Sequence, residues 1–118
     1  MNIIITEHES HIIAAAPQER LDAFSAPIMR ERVYRLLDDD MTKLILDLSA
    51  IPFLDSAGLA SLVGILKRAR QAGGDAKLVW PREKAARRIL NLTKFNRVFD
   101  TFESTKEAIQ KFLQTTKD

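Results

Sequence analysis

Apolar residues come in short β-prone runs alternating with stripes of helical spacing. Ile3-Ile4-Ile5 and Ile12-Ile13-Ala14 flank the polar segment Glu7-His8-Glu9-Ser10-His11, the pattern of two strands joined by a tight turn. Pro17 closes the second strand and opens a loop that runs to Phe24. Ser25 then reads as an N-cap with Pro27 near the first helical turn, ahead of a stripe of Ile28, Met29, Val33, Leu36 and Leu37. Asp38-Asp39-Asp40 places three carboxylates at the negative end of that helix, a natural stop.

Thr42 to Leu48 reads as a buried strand, with Leu44, Ile45, Leu46 and Leu48 nearly continuous. After a turn containing Pro52, a second helix starts about Ser56 and carries Leu59, Leu62, Val63 and Leu66 at i, i+3, i+4 and i+7. Gly73-Gly74 ends it, the glycines supplying a left-handed cap. Ala76 to Trp80 is the next strand, closed by Pro81. A third helix follows with Ala85, Ala86, Ile89 and Leu90 on its apolar face. Phe95 to Phe102 reads as loop with a short strand around Val98-Phe99. Ser104-Thr105-Lys106-Glu107 is a capping box that launches a last helix burying Ala108, Ile109, Phe112 and Leu113. Residues 114–118 are expected to form a frayed tail.

The order β-β-α-β-α-β-α-(β)-α predicts one α/β domain over residues 1–118: a small mixed sheet with an antiparallel N-terminal hairpin and parallel strands joined by right-handed crossovers. About four helices cover it, mainly on one face. The length suits one core and not two.

The chain has no cysteine, so disulfides and thiolate metal sites are excluded. The sequence pI is about 9.1, yet eighteen basic residues face sixteen acidic ones. That balance gives no field of the kind that gathers nucleic acid. The basic clusters Lys67, Arg68, Arg70; Lys84, Arg87, Arg88; and Lys94, Arg97 read as solvated helix surface. The N-terminus lacks a basic segment and a long apolar stretch, and no apolar run reaches membrane-spanning length, so a soluble cytoplasmic protein is expected.

Asp55 and Ser56 fall at a predicted helix N-terminus, beside unpaired backbone N–H groups and the positive end of the helix dipole. Two readings fit: an ordinary N-cap, which spacing alone favours, or a hydroxyl able to carry a phosphate where an anion is tolerated. A nucleophilic Ser56 would need a base. The only histidines, His8 and His11, belong to the hairpin turn, and the segment lacks the glycine two residues before the serine that a nucleophile elbow requires. His8 and His11 find no third ligand for a metal, and the four glycines, Gly58, Gly64, Gly73 and Gly74, form no phosphate loop. No catalytic residue, cofactor or metal is therefore expected. A binding module remains.

Ile45-Leu46-Asp47-Leu48 followed by Phe53-Leu54-Asp55-Ser56-Ala57-Gly58-Leu59 resembles the signature of the STAS domain, specifically of the bacterial anti-sigma factor antagonists. Arg20-Leu21-Asp22 resembles the short motif ending in Leu-Asp before the first helix. Gly73-Gly74 and the segment Leu92 to Phe99 resemble the later connections. Two departures stand out: Pro17-Gln18-Glu19-Arg20 lacks the usual glycine, and Thr93-Lys94-Phe95 lacks a Gly-containing turn. The resemblance implies a small antagonist that binds an anti-sigma factor which is also a serine kinase, is released when Ser56 is phosphorylated, and is restored by a protein phosphatase. It implies a partner-binding face of Asp22, Asp55, Ser56, Ala57 and Gly58. Neither direct contact with nucleic acid nor membrane insertion is implied, and the chain would be a monomer or weak dimer. An alternative use of the same fold is as an accessory subunit of a membrane lipid-transport complex.

Overall fold

The computed structural model describes residues 1–115. Five strands form one sheet in the order β1 (Ile3–His8), β2 (Ile12–Pro17), β3 (Lys43–Asp47), β4 (Asp75–Val79) and β5 (Thr101–Phe102). β1 pairs antiparallel with β2, and every later pairing is parallel. The helices are α1 (Ala26–Asp38), α2 (Ser56–Gln71), α3 (Lys84–Leu92) and α4 (Thr105–Thr115). α4 is helical through Thr115, and residues 116–118 of the expected tail lie outside the described residues.

Period-two alternation sorts the strand residues between two cores. Ile13, Ala15, Leu44, Leu46, Ala76 and Leu78 face a large cluster with Met29, Val33 and Leu37 of α1, Leu62, Ile65, Leu66 and Ala69 of α2, and Ala86 and Leu90 of α3. Ile12, Ala14, Ile45 and Val79 face Ala108 and Phe112 of α4. The sheet is thus covered on both faces, three helices on one and α4 on the other. Three of the four helices share the expected main face, and α4 alone takes the other, because an apolar pattern fixes which stripe of a helix is buried but not which sheet face receives it.

Three further expectations shift. The buried stripe of α2 is Gly58, Ser61, Leu62, Ile65, Leu66 and Ala69, leaving Val63 at the surface. The last strand is Thr101–Phe102 and not Val98-Phe99. Residues 95–97 wind into a 3-10 turn, Phe99 N–H donates to the Phe95 carbonyl at 2.9 Å, and the two buried rings stack with centroids 5.8 Å apart. Their four-residue spacing was the helical signal. Lys94 takes the left-handed conformation (φ 57°) where a glycine-containing turn would be more usual.

Of the glycine pair after α2, Gly73 alone has positive φ, at 88°. Gly74 serves close packing against Thr42. Ser104 accepts from Glu107 N–H at 3.2 Å, one half of the expected capping box.

Several of the basic residues read as solvated surface are tied down. Arg68 pairs with Asp38 at 3.0 Å and lies 4.3 Å from the Tyr34 ring centroid, joining α1 to α2. Arg87 makes two bonds to Glu103, at 3.1 and 2.8 Å, which hold the Glu103 carboxyl below its ordinary pKa. Lys77, outside those clusters, is buried on the α4 face, 3.1 Å from Asp100.

Candidate functional site

Two loops leave the carboxyl ends of adjacent parallel strands: residues 18–25 after β2, and residues 48–55 after β3. They pair with each other beyond the sheet. Leu21 N–H donates to the Phe53 carbonyl at 3.0 Å, and Asp55 N–H donates to the Leu21 carbonyl at 3.1 Å, making a parallel bridge between Leu21 and Leu54. Both leucines are fully buried beneath this bridge. Alternation then sends their neighbours outward, and Arg20, Asp22, Phe53 and Asp55 share the outer side.

Asp55 is the N-cap of α2. Its backbone is extended, and its Oδ1 accepts from Gly58 N–H at 3.0 Å, the expected reach to the third helical residue. Such a cap contributes about 1 kcal/mol. Ser56 is the first residue of the helix proper. It is exposed, and its hydroxyl makes no hydrogen bond among the described residues. The two sequence readings therefore divide between neighbours: Asp55 caps, and Ser56 is left without structural duty. Gly58 brings the first turn of α2 against the backbone of Leu21. Ala57 is half-buried between them in sequence.

Asp22 performs the task expected of Ser25. Its Oδ1 accepts from Phe24 N–H at 3.0 Å and from Ser25 N–H at 3.1 Å, closing the turn that enters α1. Ser25 makes no side-chain cap to α1. Its buried hydroxyl instead accepts from Asp22 N–H at 3.0 Å and donates to the Arg20 carbonyl at 2.6 Å. Ser25 and Asp22 are both good caps, and sequence alone did not say which would fold back onto the loop. Arg20 carries no local signal of a role beyond its place before Leu21-Asp22. It pairs with Asp22 at 3.0 Å and lies 5.7 Å from the Phe53 ring centroid.

The Ser25 N–H bond leads the forces that hold the Asp22 carboxyl below its ordinary pKa; the Phe24 N–H, the Ser25 hydroxyl and the Arg20 charge add to it, and partial burial opposes it. A carboxylate with a depressed folded-state pKa stabilises the fold above its unfolded pKa, and that contribution fades as pH falls through the folded value. Asp22→Asn, which keeps an acceptor but loses the charge, is expected to be less stable than the parent near neutral pH. Denaturation at about pH 7 and about pH 3 should show the gap narrowing in acid. An equal gap at both values would mean the charge is irrelevant.

The histidines lie elsewhere. His8 bonds Thr6 at 2.9 Å and His11 bonds Glu7 at 3.0 Å, at the turn preceding β2, whereas Ser56 stands beyond the ends of β2 and β3. A six-residue strand of roughly 20 Å separates them, so neither can activate Ser56. Among the described residues no group of three or more His, Asp or Glu could hold a metal, and no helix is long and apolar enough to cross a membrane.

The Ser56 hydroxyl thus stands exposed beside two bridged loops, and comparison with known proteins identifies the fold that carries it. The STAS domain model matches residues 2–108. A protein of Thermotoga maritima named as an anti-sigma factor antagonist is 30% identical over 100 residues, covering 84% of this chain and 88% of that one. The anti-sigma-B factor antagonist of Bacillus subtilis is 26% identical over 110 residues, covering 93% and 98%. The crystal structure of the Thermotoga maritima antagonist superposes with a TM-score of 0.84 over 92% of each chain, at 25% identity. The Bacillus cell fate determinant SpoIIAA in its phosphorylated form shares the fold, with a TM-score of 0.71 over 94% of this chain and 99% of that one, at 15% identity. From hairpin to last helix, the chain belongs to the STAS domain family, among the anti-sigma factor antagonists.

Proposed function

We propose that this chain is a non-catalytic cytoplasmic antagonist that works by partner switching. In its unphosphorylated form it binds an anti-sigma factor that is also a serine kinase. Phosphorylation of Ser56 breaks that complex, and a protein phosphatase restores the binding form. Asp22, Asp55, Ser56 and Ala57 form the contact face; Gly58, expected there too, is buried and seats the first turn of α2 against Leu21 behind it.

The observation that carries this reading is the division of labour at the start of α2. Asp55 caps the helix, so the exposed Ser56 hydroxyl is free to be modified. A phosphate there adds roughly −1.5 to −2 charge at neutral pH. The helix dipole offsets part of that charge within the domain, so the fold persists. A partner packed over the same spot gains no such compensation and must desolvate the phosphate, so affinity falls. The names of the Thermotoga maritima and Bacillus subtilis relatives support the partner class.

The test is to incubate the chain and ATP with the anti-sigma-factor-class serine kinase from its own genome, followed by intact-mass analysis and peptide mapping. One phosphate on Ser56 is expected, with affinity for the kinase reduced at least about 30-fold, or roughly 2 kcal/mol. Ser56→Ala should stay within about 0.5 kcal/mol of the parent in stability and bind whether or not ATP is present. Modification elsewhere, or a phosphorylated chain that binds as well as the parent, would overturn the switch.

A further inference from the structure

Phe24 is 87% exposed, more than any other large apolar side chain described, and the contact face of Ser56 does not yet account for it. Fully burying a phenylalanine contributes about 1.5–3 kcal/mol to folding, and the fold forgoes nearly all of that here. Ile28, four residues on, is 45% exposed, and Phe53 on the neighbouring loop is 38% exposed.

The Phe24 backbone is fixed. Its N–H is held by Asp22 Oδ1 at 3.0 Å, Ala26 N–H donates to the Asp22 carbonyl at 2.8 Å, and the same loop is bonded through Leu21 to Phe53 and Asp55. An aromatic side chain presented on a pre-set turn loses little further backbone freedom on binding, the condition under which apolar area converts well into affinity. The acids of the contact face already hold partners within the chain. Asp22 has Arg20 and two backbone N–H groups, and Asp55 has Gly58 N–H. Part of their acceptor capacity is thus engaged within the chain, whereas Phe24 is left almost wholly uncovered. Its unspent binding capacity is apolar.

We infer, building on the function proposed above, that Phe24 is the anchor of the partner interface, flanked by Ile28 and Phe53, and that it inserts into an apolar pocket on the serine-kinase partner. This also gives phosphorylation its mechanism. The Phe24 loop is bonded to the entry of α2 through Leu21 and Asp55, so a partner seated on its apolar side chains would force a phosphate on Ser56 to shed water, and the modified chain is expelled.

The test uses the purified kinase of the preceding section with a non-hydrolysable ATP analogue, titrated with the parent chain, Phe24→Ala, Phe24→Tyr and Leu92→Ala. Leu92, on α3 and 70% exposed, controls for general apolar stickiness. Phe24→Ala is expected to bind at least about 30-fold more weakly, the loss typical of a truncated hot-spot aromatic. Phe24→Tyr should recover most of that affinity, Leu92→Ala should match the parent, and all four chains should melt together. Phe24→Ala binding within about threefold of the parent overturns the anchor while leaving the Ser56 switch standing. An equal loss in Leu92→Ala, or a binding loss that follows a lowered melting temperature, also overturns it. A parent chain that is neither bound nor phosphorylated by the kinase removes the switch and the anchor together.

Discussion

Gly58→Ala is expected to destabilise the protein by about 2–3 kcal/mol, although glycine-to-alanine inside a helix ordinarily stabilises by up to about 1 kcal/mol. The sign inverts because of what lies opposite. A Cβ on Gly58 would fall inside contact distance of the Leu21 carbonyl oxygen, 3.0 Å from Leu21 Cβ and 3.1 Å from its carbonyl carbon. That carbonyl is backbone and cannot swing aside. It is also the acceptor for Asp55 N–H. Relief requires the first turn of α2 to back away from the loop after β2, which opens the Leu21–Leu54 bridge and unseats two fully buried leucines. Urea denaturation checks this, with Gly64→Ala as the reference, since a Cβ there meets the ends of two flexible side chains, the Tyr34 hydroxyl at 3.1 Å and Arg30 Cδ at 4.0 Å. A Gly58→Ala chain as stable as the reference would mean that the loops yield more easily than their bonding implies.

Gly74→Ala is expected to cost at least as much, about 3 kcal/mol, and to act on the sheet rather than the site. The added Cβ would lie 2.5 Å from Thr42 Cβ and 2.6 Å from the Thr42 carbonyl carbon. Asp75 N–H donates to that same Thr42 carbonyl at 3.0 Å, and Gly74 N–H is bonded to the Ala69 carbonyl at 2.9 Å. The residue is thus held from the helix side while pressed against the strand side. Separating them means parting the start of the central strand β3 from that of β4. A markedly lower urea midpoint is the expected result, with the loss spread over the whole fold. A midpoint unchanged from the parent would show that the two strand starts can part at little cost.

The strands were legible because they are short apolar runs bounded by proline or polar turns, as with Leu44 to Leu48 or Ala76 to Trp80 before Pro81. Their parallel pairing followed from the helices between them. The start of α2 was equally plain, since Asp55-Ser56 marks a helix entry on chemistry alone. What could not be read were relations between distant segments. Nothing local says that α4 crosses to the other face of the sheet, or that Asp22 rather than Ser25 closes the turn into α1. Val98-Phe99 reads as a strand because a short apolar segment suits a strand or a helical turn equally well, and burial of the Phe95 and Phe99 rings decides for the turn. Gly58 was expected at the contact face. Its tight fit against Leu21 depends on a loop 37 positions upstream and is invisible to any local pattern.

The bridge between Leu21 and Leu54 has a consequence for how the surface behaves in time. Two independent loops would sample four combinations of ordered and open, two of them presenting half a binding face. Because the Leu21 N–H and carbonyl are both committed to the other loop, freeing one loop strips the other of its own partners. The intermediate combinations are suppressed, and the pair opens or stays shut as a single cooperative unit. An encountering protein therefore meets either the whole face or none of it.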